Sequence, residues 1–333
     1  MSDAAAEAPV SDNQAHDRRT AISAPRVLIT LIRRELWEHR AMWIVPLLLS
    51  ALIVLSAFLS YFGTGGFSRN GPFPWSAGAA APSQGDPRAV GIALFGLRQW
   101  ALSVPLYLSA TVILYFYLLS SLFDERKDRS ILFWKSLPVS DAATVGSKLL
   151  VAMLVVPLGI FALALVDHLL FVAIWNARAL AGSLIVNPFV WDTVAWLKVE
   201  AFLLTSVVMS VLWYAPVTAY LLLISAWARR NPFLWAVLPP LILAVVERVA
   251  FGTTYVWSAF IYRLSGIWKA LGFDSMNRAT VSVGRGHLPD LARMFDTLDF
   301  GRLCANTDLW AGLIIAGALA YAAVRVRRYR DDT

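Results

Sequence analysis

Six stretches of this chain are each long and apolar enough to cross a lipid bilayer, and no other feature restricts its fold as much. They run at about Met42–Phe62, Trp100–Phe123, Leu149–Trp175, Val199–Trp227, Phe233–Phe251 and Leu309–Val324. A helix rising 1.5 Å per residue needs ~20 apolar residues to cross a hydrocarbon core of ~30 Å. In that medium every backbone N–H and C=O has to be satisfied within the segment, so runs of this length predict an all-α membrane protein. Charged residues make up only 15% of the chain, where a soluble domain carries about 25%.

The basic residues cluster at the ends of the apolar runs. Arg33, Arg34 and Arg40 precede the first, and Arg126, Lys127, Arg129, Lys135 and Lys148 lie between the second and third. Arg229 and Arg230 separate the fourth and fifth, and Arg325, Arg327, Arg328 and Arg330 follow the sixth. With six spans and both termini cytoplasmic, all four groups fall on one side, as the positive-inside rule requires. The net charge of +7 therefore reads as topology and not as a nucleic-acid footprint. A seventh span at Thr253–Phe273 would place Arg263 and Lys269 within the bilayer, at ~2.5–3.5 kcal/mol each near its centre. The density of aromatics there (Tyr255, Trp257, Phe260, Tyr262, Trp268) predicts an interfacial or re-entrant helix instead.

The remaining segments are read as connections. Residues 1–24 are polar and lack the apolar core of a signal peptide, so a disordered cytoplasmic tail is expected. Gly63–Arg98 is rich in Gly, Pro and Ala and is predicted to be irregular. In the large outer loop, 252–308, Leu291, Met294, Phe295 and Leu298 have the spacing of an amphipathic helix.

Two polar segments stand out. In "RVLITLIRRELWEHR", Arg26–Arg40, the residues Leu28, Ile29, Leu31, Ile32 and Leu36 share one helical face, predicting a surface helix over 25–41. Glu35 interrupts that face; it either snorkels to the headgroups or pairs locally with Arg34 or His39, or it binds a basic residue of the 124–148 segment. That segment begins "DERKDR", three acidic and three basic residues, followed by Ile131, Leu132, Phe133, Trp134 and Leu137 before Pro138 ends the helix. Ser140 or Asp141 can cap the next one. Aromatics ringed by balanced charge suggest a docking site for a cytosolic partner.

"RRELWEHR" and "LFDERKDRSILFWKSLPVSDAATVGSKLL" resemble corresponding elements of the ABC-2 type transporter permeases. The resemblance implies that the first is an elbow helix, with Arg34, Glu35 and Glu38 involved in coupling. The second would be a cytoplasmic loop carrying the coupling helix, with Asp124, Glu125, Arg126, Arg129, Phe133, Trp134, Leu137 and Pro138 at the ATPase contact. It further implies a single six-span domain over 42–330 that exports a drug, an antimicrobial peptide or a lipid-like molecule from the cell (inner) membrane. Its partners would be a dimer of cytosolic ATPase subunits, a second permease subunit and membrane lipid. ATP and magnesium would be held by the ATPase, since this chain has no G-x-x-x-x-G-K-[ST] loop.

Other readings leave weaker traces. Asp167, His168, Glu200, Glu247 and Arg248 are intramembrane or outer-gate candidates, and ionisable groups in spans are functional by default. Counting from the cytoplasmic ends puts Asp167 and Glu247 ~22–27 Å up, toward the outer face. A membrane enzyme would need a nucleophile–base or metal constellation. The four histidines (His16, His39, His168, His287) form no HExxH, there is no GxSxG, and the single Cys304 suits packing. Asp167 and His168 are adjacent and so point ~100° apart on a helix, too far for a dyad. An ATP-independent secondary transporter is the other alternative, but inverted repeats are not evident. No resident cofactor or metal and no nucleic-acid partner are expected.

Overall fold

The computed structural model describes residues 24–62, 87–131, 136, 139–180, 193–267, 301 and 304–329, and every regular element among them is helical. Helix α1 covers Ala24–Glu38, and after a two-residue turn α2 covers Ala41–Phe62. Helix α3 is Pro87–Ser120, α4 the short Phe123–Lys127, and α5 Asp141–Leu150. One π-helical stretch, Val151–Val155, joins α5 to α6, Val156–Leu180. Helix α7 is Thr193–Trp227, α8 Pro232–Phe251, α9 Tyr255–Ser265 and α10 Thr307–Tyr329.

Among the described residues, six helical segments have the length and hydropathy of membrane spans: Ala41–Leu59, Gln99–Lys127, Asp141–Ile174, Trp196–Trp227, Pro232–Phe251 and Thr307–Tyr329. All six predicted runs are found, with the second, third, fourth and sixth each at least three residues longer than their apolar stretches. The chain is thus an all-helical, multi-pass membrane protein. Residues 87–98, predicted to be irregular, are instead the first turns of α3. Pro87 begins that helix, where a missing N–H leaves no bond unmade, and the apolar residues that follow extend it. The described part of the Thr253–Phe273 region, 253–267, contributes the 11-residue α9, which by itself is too short to cross a bilayer.

Helix α7 is the axis of the bundle. Half of its apolar window is buried, against 6% for α8, which lies outermost. Lipid chains are as apolar as leucine, so spans associate by close packing and not by escape from water. The seam between α7 and α10 shows how: Ala215 and Ala219 meet Ala316, with Ala320 alongside. The six-membered ring of Trp43 on α2 closes onto Gly159 of α6, where any Cβ would collide with it.

The main apolar core runs from Leu106, Ala110 and Ile160 to one end of the bundle, which carries the basic clusters and is called the basic end below, where Tyr117, Leu118, Leu122, Val145, Val151 and Ala323 belong to it. Leu31 of α1 is buried, and Ile32 and Leu36 pack on this core, whereas Ile29, predicted on the same face, is exposed. Helix α5 begins with a Ser140 cap, whose side chain accepts from the Ala143 N–H at 3.1 Å.

Candidate functional site

The basic end holds a buried cluster of charge drawn from five helices. Glu35 on α1 is 1% exposed, one turn from buried Leu31. Its Oε1 accepts from Lys148 Nζ of α5 at 2.8 Å, and its Oε2 accepts from the Tyr117 hydroxyl of α3 at 3.0 Å. Lys148, itself 1% exposed, also lies 3.1 Å from Glu125 Oε1 on α4, a charge contact without hydrogen-bond geometry. Glu125 Oε2 accepts from Arg327 Nη1 of α10, and Arg327 Nε donates to Asp141 Oδ1 of α5 at 3.1 Å. Two buried carboxylates thus face two buried cations. That balance is what makes ionised side chains tolerable out of water.

Around this centre lies a partly exposed ring. Arg34 donates to Glu38 at 2.7 Å and sits 3.7 Å from Glu125 Oε1. His39 stacks edge-on to Tyr117, 3.9 Å from Glu35. Burial holds the His39 imidazole below its ordinary range, and the nearby Glu35 only partly offsets this. At neutral pH the ring is uncharged, so Lys148 is the counter-ion of Glu35. The Glu35, Glu38 and His39 ligand atoms lie within 4.8 Å of one another, as a metal would require. However, Lys148 and Arg34 already occupy the two carboxylates.

A parallel set of bonds fastens α4 to the end of α7. Ser225 Oγ accepts from the backbone N–H groups of Leu122 and Phe123, both at 3.0 Å. Arg126 Nη2 donates to the carbonyls of Ser225 and Ala228 at 2.7 Å each, satisfying acceptors that the end of a helix leaves open. Arg129, at φ 56°, ends α4 in the left-handed region. Asp124 lines an open cavity of about 1020 Å³ between α2, α3 and α8, with apolar walls that include Met42, Val112, Phe116 and Phe233. Ile131 is buried, not exposed. Phe133, Trp134, Leu137 and Pro138 lie outside the described residues.

The other candidates divide into two places. Asp167 and His168 diverge, as adjacent residues on a helix must. Asp167 Oδ1 accepts from Ser50 Oγ of α2 at 2.7 Å, while His168 Nδ1 lies 2.7 Å from Glu200 Oε1 of α7. Ser50 is nine residues into α2, about 14 Å along it. Asp167 therefore sits at mid-helix by α2's count, lower than counting along its own chain gives. Its own count runs from α5, and part of that helix reaches the basic-end cluster.

Glu247 and Arg248 are local to the α8–α9 corner. Glu247 accepts from Thr253 Oγ1 (2.6 Å) and from the N–H groups of Tyr255 (2.6 Å) and Val256 (2.7 Å), capping α9 with a carboxylate borrowed from the preceding helix. Arg248 donates to the Gly252 carbonyl at 3.0 Å. Gly252 turns the chain at φ 67°, a conformation that side chains resist. Glu247→Ala is expected to loosen the first turn of α9, seen as faster hydrogen–deuterium exchange at Tyr255–Ser258. Unchanged exchange there would contradict the capping role.

Tyr117 and Arg327 have no place in the sequence-derived set, yet both are central. For Arg327 a signal existed. Leu309, Gly312, Ala316, Ala323 and Arg327 are the buried residues of α10 and share one helical face. An arginine at the end of a packed stripe is an inward-facing arginine. Comparison with family models, with curated proteins and with solved structures finds no match for this chain.

Proposed function

We propose that this chain is the membrane permease subunit of an ATP-binding cassette exporter of the ABC-2 type, driven by ATPase subunits on separate chains and paired with a second permease subunit. In this reading the basic end is cytoplasmic, α1 is the elbow helix, and the segment between α4 and α5 is the coupling loop that docks the ATPase. The reading also makes α9 the outer interfacial element.

The observation that carries the reading is the buried charge cluster. Helices α4 and α5 flank the proposed docking segment, and the cluster joins them to α1, α3 and α10 through Glu35, Tyr117, Glu125, Lys148 and Arg327. Arg126 and Ser225 join the same flank to α7. A push delivered between residues 128 and 139 would therefore move the ends of four long helices as a unit. A loop that served only to connect two spans would have no need of such anchoring. The apolar cavity between α2, α3 and α8 suits an amphiphilic cargo, in keeping with a drug, peptide or lipid-like substrate.

The test is biochemical. The purified protein should retain an ATPase subunit and change its hydrolysis rate. Trp134→Ala should leave membrane insertion intact and reduce co-purification of the ATPase. Full co-purification by that variant would remove Trp134 from the contact, and proton-gradient-driven transport in ATPase-free liposomes would overturn the exporter reading as a whole.

A further inference from the structure

The His168–Glu200 pair lies far from the basic-end cluster. Ser103, which contacts His168, precedes Tyr117 by 14 residues on α3, about 21 Å along the helix. His168 is fully buried and Glu200 nearly so. The contacts of the imidazole fix the number of protons present. Nε2 lies 3.0 Å from the backbone oxygen of Gln99, which can only accept. It also lies 2.9 Å from Ser103 Oγ, whose hydrogen goes to the same Gln99 oxygen at 3.0 Å. Nε2 must therefore carry a hydrogen. Nδ1 then faces Glu200 Oε1 at 2.7 Å. A bare ring nitrogen and a carboxylate oxygen both present lone pairs, and a contact that short needs a second hydrogen between them.

We infer that His168 and Glu200 form a buried proton-binding site, in which the proton between Nδ1 and Oε1 ties α6 to α7 while the Nε2 hydrogen ties α6 to α3. Imidazolium with carboxylate and imidazole with carboxylic acid are two descriptions of one site with no net charge. The other titratable groups facing it are Asp167, which turns to Ser50 on α2, and Tyr107 on α3. Glu200 Oε2, the Tyr107 hydroxyl and the Gln99 side-chain amide are buried with no hydrogen-bond partner among the described residues.

If the shared proton leaves to water, a neutral imidazole and a carboxylate remain, with one ring hydrogen for two contacts. Kept on Nε2, it leaves lone pairs opposed across the 2.7 Å contact with Glu200; moved to Nδ1, it opposes Nε2 to the Gln99 oxygen at 3.0 Å. In the first case the α6–α7 tie is lost; in the second the Ser103 hydroxyl must turn from the Gln99 oxygen to Nε2 to keep α6 on α3, so the present set of bonds cannot survive loss of the proton. Since the site is closed to water while α3, α6 and α7 are packed, separation of these helices and release of the proton belong to one event.

The test is ring-nitrogen NMR at neutral pH on lipid-reconstituted protein with isotopically labelled histidines. There are four histidines, so His168→Gln identifies the signal by its loss. Should that variant not fold, changing His16, His39 and His287 together to Gln leaves His168 as the only signal. The expected result is a protonated Nε2 in the wild type, and an Nδ1 that is protonated or shares its proton with Glu200. Glu200→Gln can donate its amide N–H to Nδ1, so in that variant Nδ1 should lose its proton while Nε2 keeps its own. A wild-type Nε2 without a hydrogen, or an Nδ1 signal unchanged in Glu200→Gln, would overturn the site.

Discussion

Glu35→Ala is expected to cost about 3–5 kcal/mol of stability, because it strands the Lys148 ammonium in a buried position. It also removes the acceptor of the Tyr117 hydroxyl, a second polar group that no water reaches. Glu125 partly compensates Lys148, yet Glu125 is already engaged by Arg327 and approached by Arg34. The loss should appear as a lower midpoint of thermal unfolding in lipid or detergent. Lys148→Met alone should be harmful for the mirror-image reason, since it leaves Glu35 buried without its cation. The double variant Glu35→Ala/Lys148→Met should recover part of the loss, with a coupling of ~1–3 kcal/mol for residues in direct contact. Simple addition of the two single losses would show that the pair contributes nothing as a pair. The double variant also separates folding from function. Under the exporter reading it folds but lacks the tie between α1 and α5, so it should hydrolyse ATP with its partner while transporting less per cycle.

A buried ion pair is weak evidence for net stability, because desolvation cancels much of the attraction. Its better-attested use is to fix register, and the arrangement here fits that use. Apolar packing between spans is permissive: the Ala215, Ala219 and Ala316 seam would tolerate a small slide of α10 along α7 at modest cost. The Arg327 guanidinium would not, since moving it by one turn takes it from both Glu125 and Asp141. The cluster thus converts a slippery bundle end into one with a single alignment.

What the sequence disclosed follows from the same physics. The six spans were legible because bilayer thickness sets their length and lipid forbids unpaired backbone. The α1 amphipathicity was legible because Leu31, Ile32 and Leu36 recur at helical spacing. Glu35 announced itself as a charge on an apolar face, with the headgroups, a local partner or one in the 124–148 segment all open; the close hydrogen-bonded cation is Lys148. Arg327 did not stand out, because the positive-inside rule already accounts for an arginine at the end of a span. Whether such an arginine faces headgroups or the bundle depends on which side of the helix packs; its register with Leu309, Gly312, Ala316 and Ala323 is a signal that becomes decisive only once that face is seen to be buried. The start of α3 was misread for a related reason. Gly and Pro content predicts irregular backbone on average, but Pro87 at a first helical position is compatible with a helix. His168 and Glu200 could be listed as ionisable but not paired, since their partnership spans 32 residues and two helices.

The second large effect is expected from Trp213→Ala, at roughly 3–5 kcal/mol for deleting a buried tryptophan that its neighbours cannot replace. Trp213 is fully buried on α7, and α9 is built around it. Its indole N–H donates to the Arg263 carbonyl at 2.9 Å, Tyr262 packs edge-on at 5.6 Å, and the Arg263 guanidinium lies over the ring at 4.6 Å. That guanidinium also covers Gly312 of α10 and donates to the Asp308 carbonyl at 3.1 Å. One tryptophan therefore holds α9 against both α7 and α10. Its removal should lower the unfolding midpoint and, separately, raise hydrogen–deuterium exchange throughout Tyr255–Ser265. Tyr262→Phe is the milder comparison, because it deletes only the hydroxyl bond to Asp308 at 3.0 Å and should cost about 1 kcal/mol. If the two variants loosened α9 equally, the anchor would be the Tyr262–Asp308 bond and not the indole. Glu247 fastens the other end of α9, so Trp213→Ala should free the helix from its C-terminal side first. The exchange gradient along α9 should then run opposite to that of Glu247→Ala. The opposed gradients distinguish a helix held at two points from one that simply rests on the bundle.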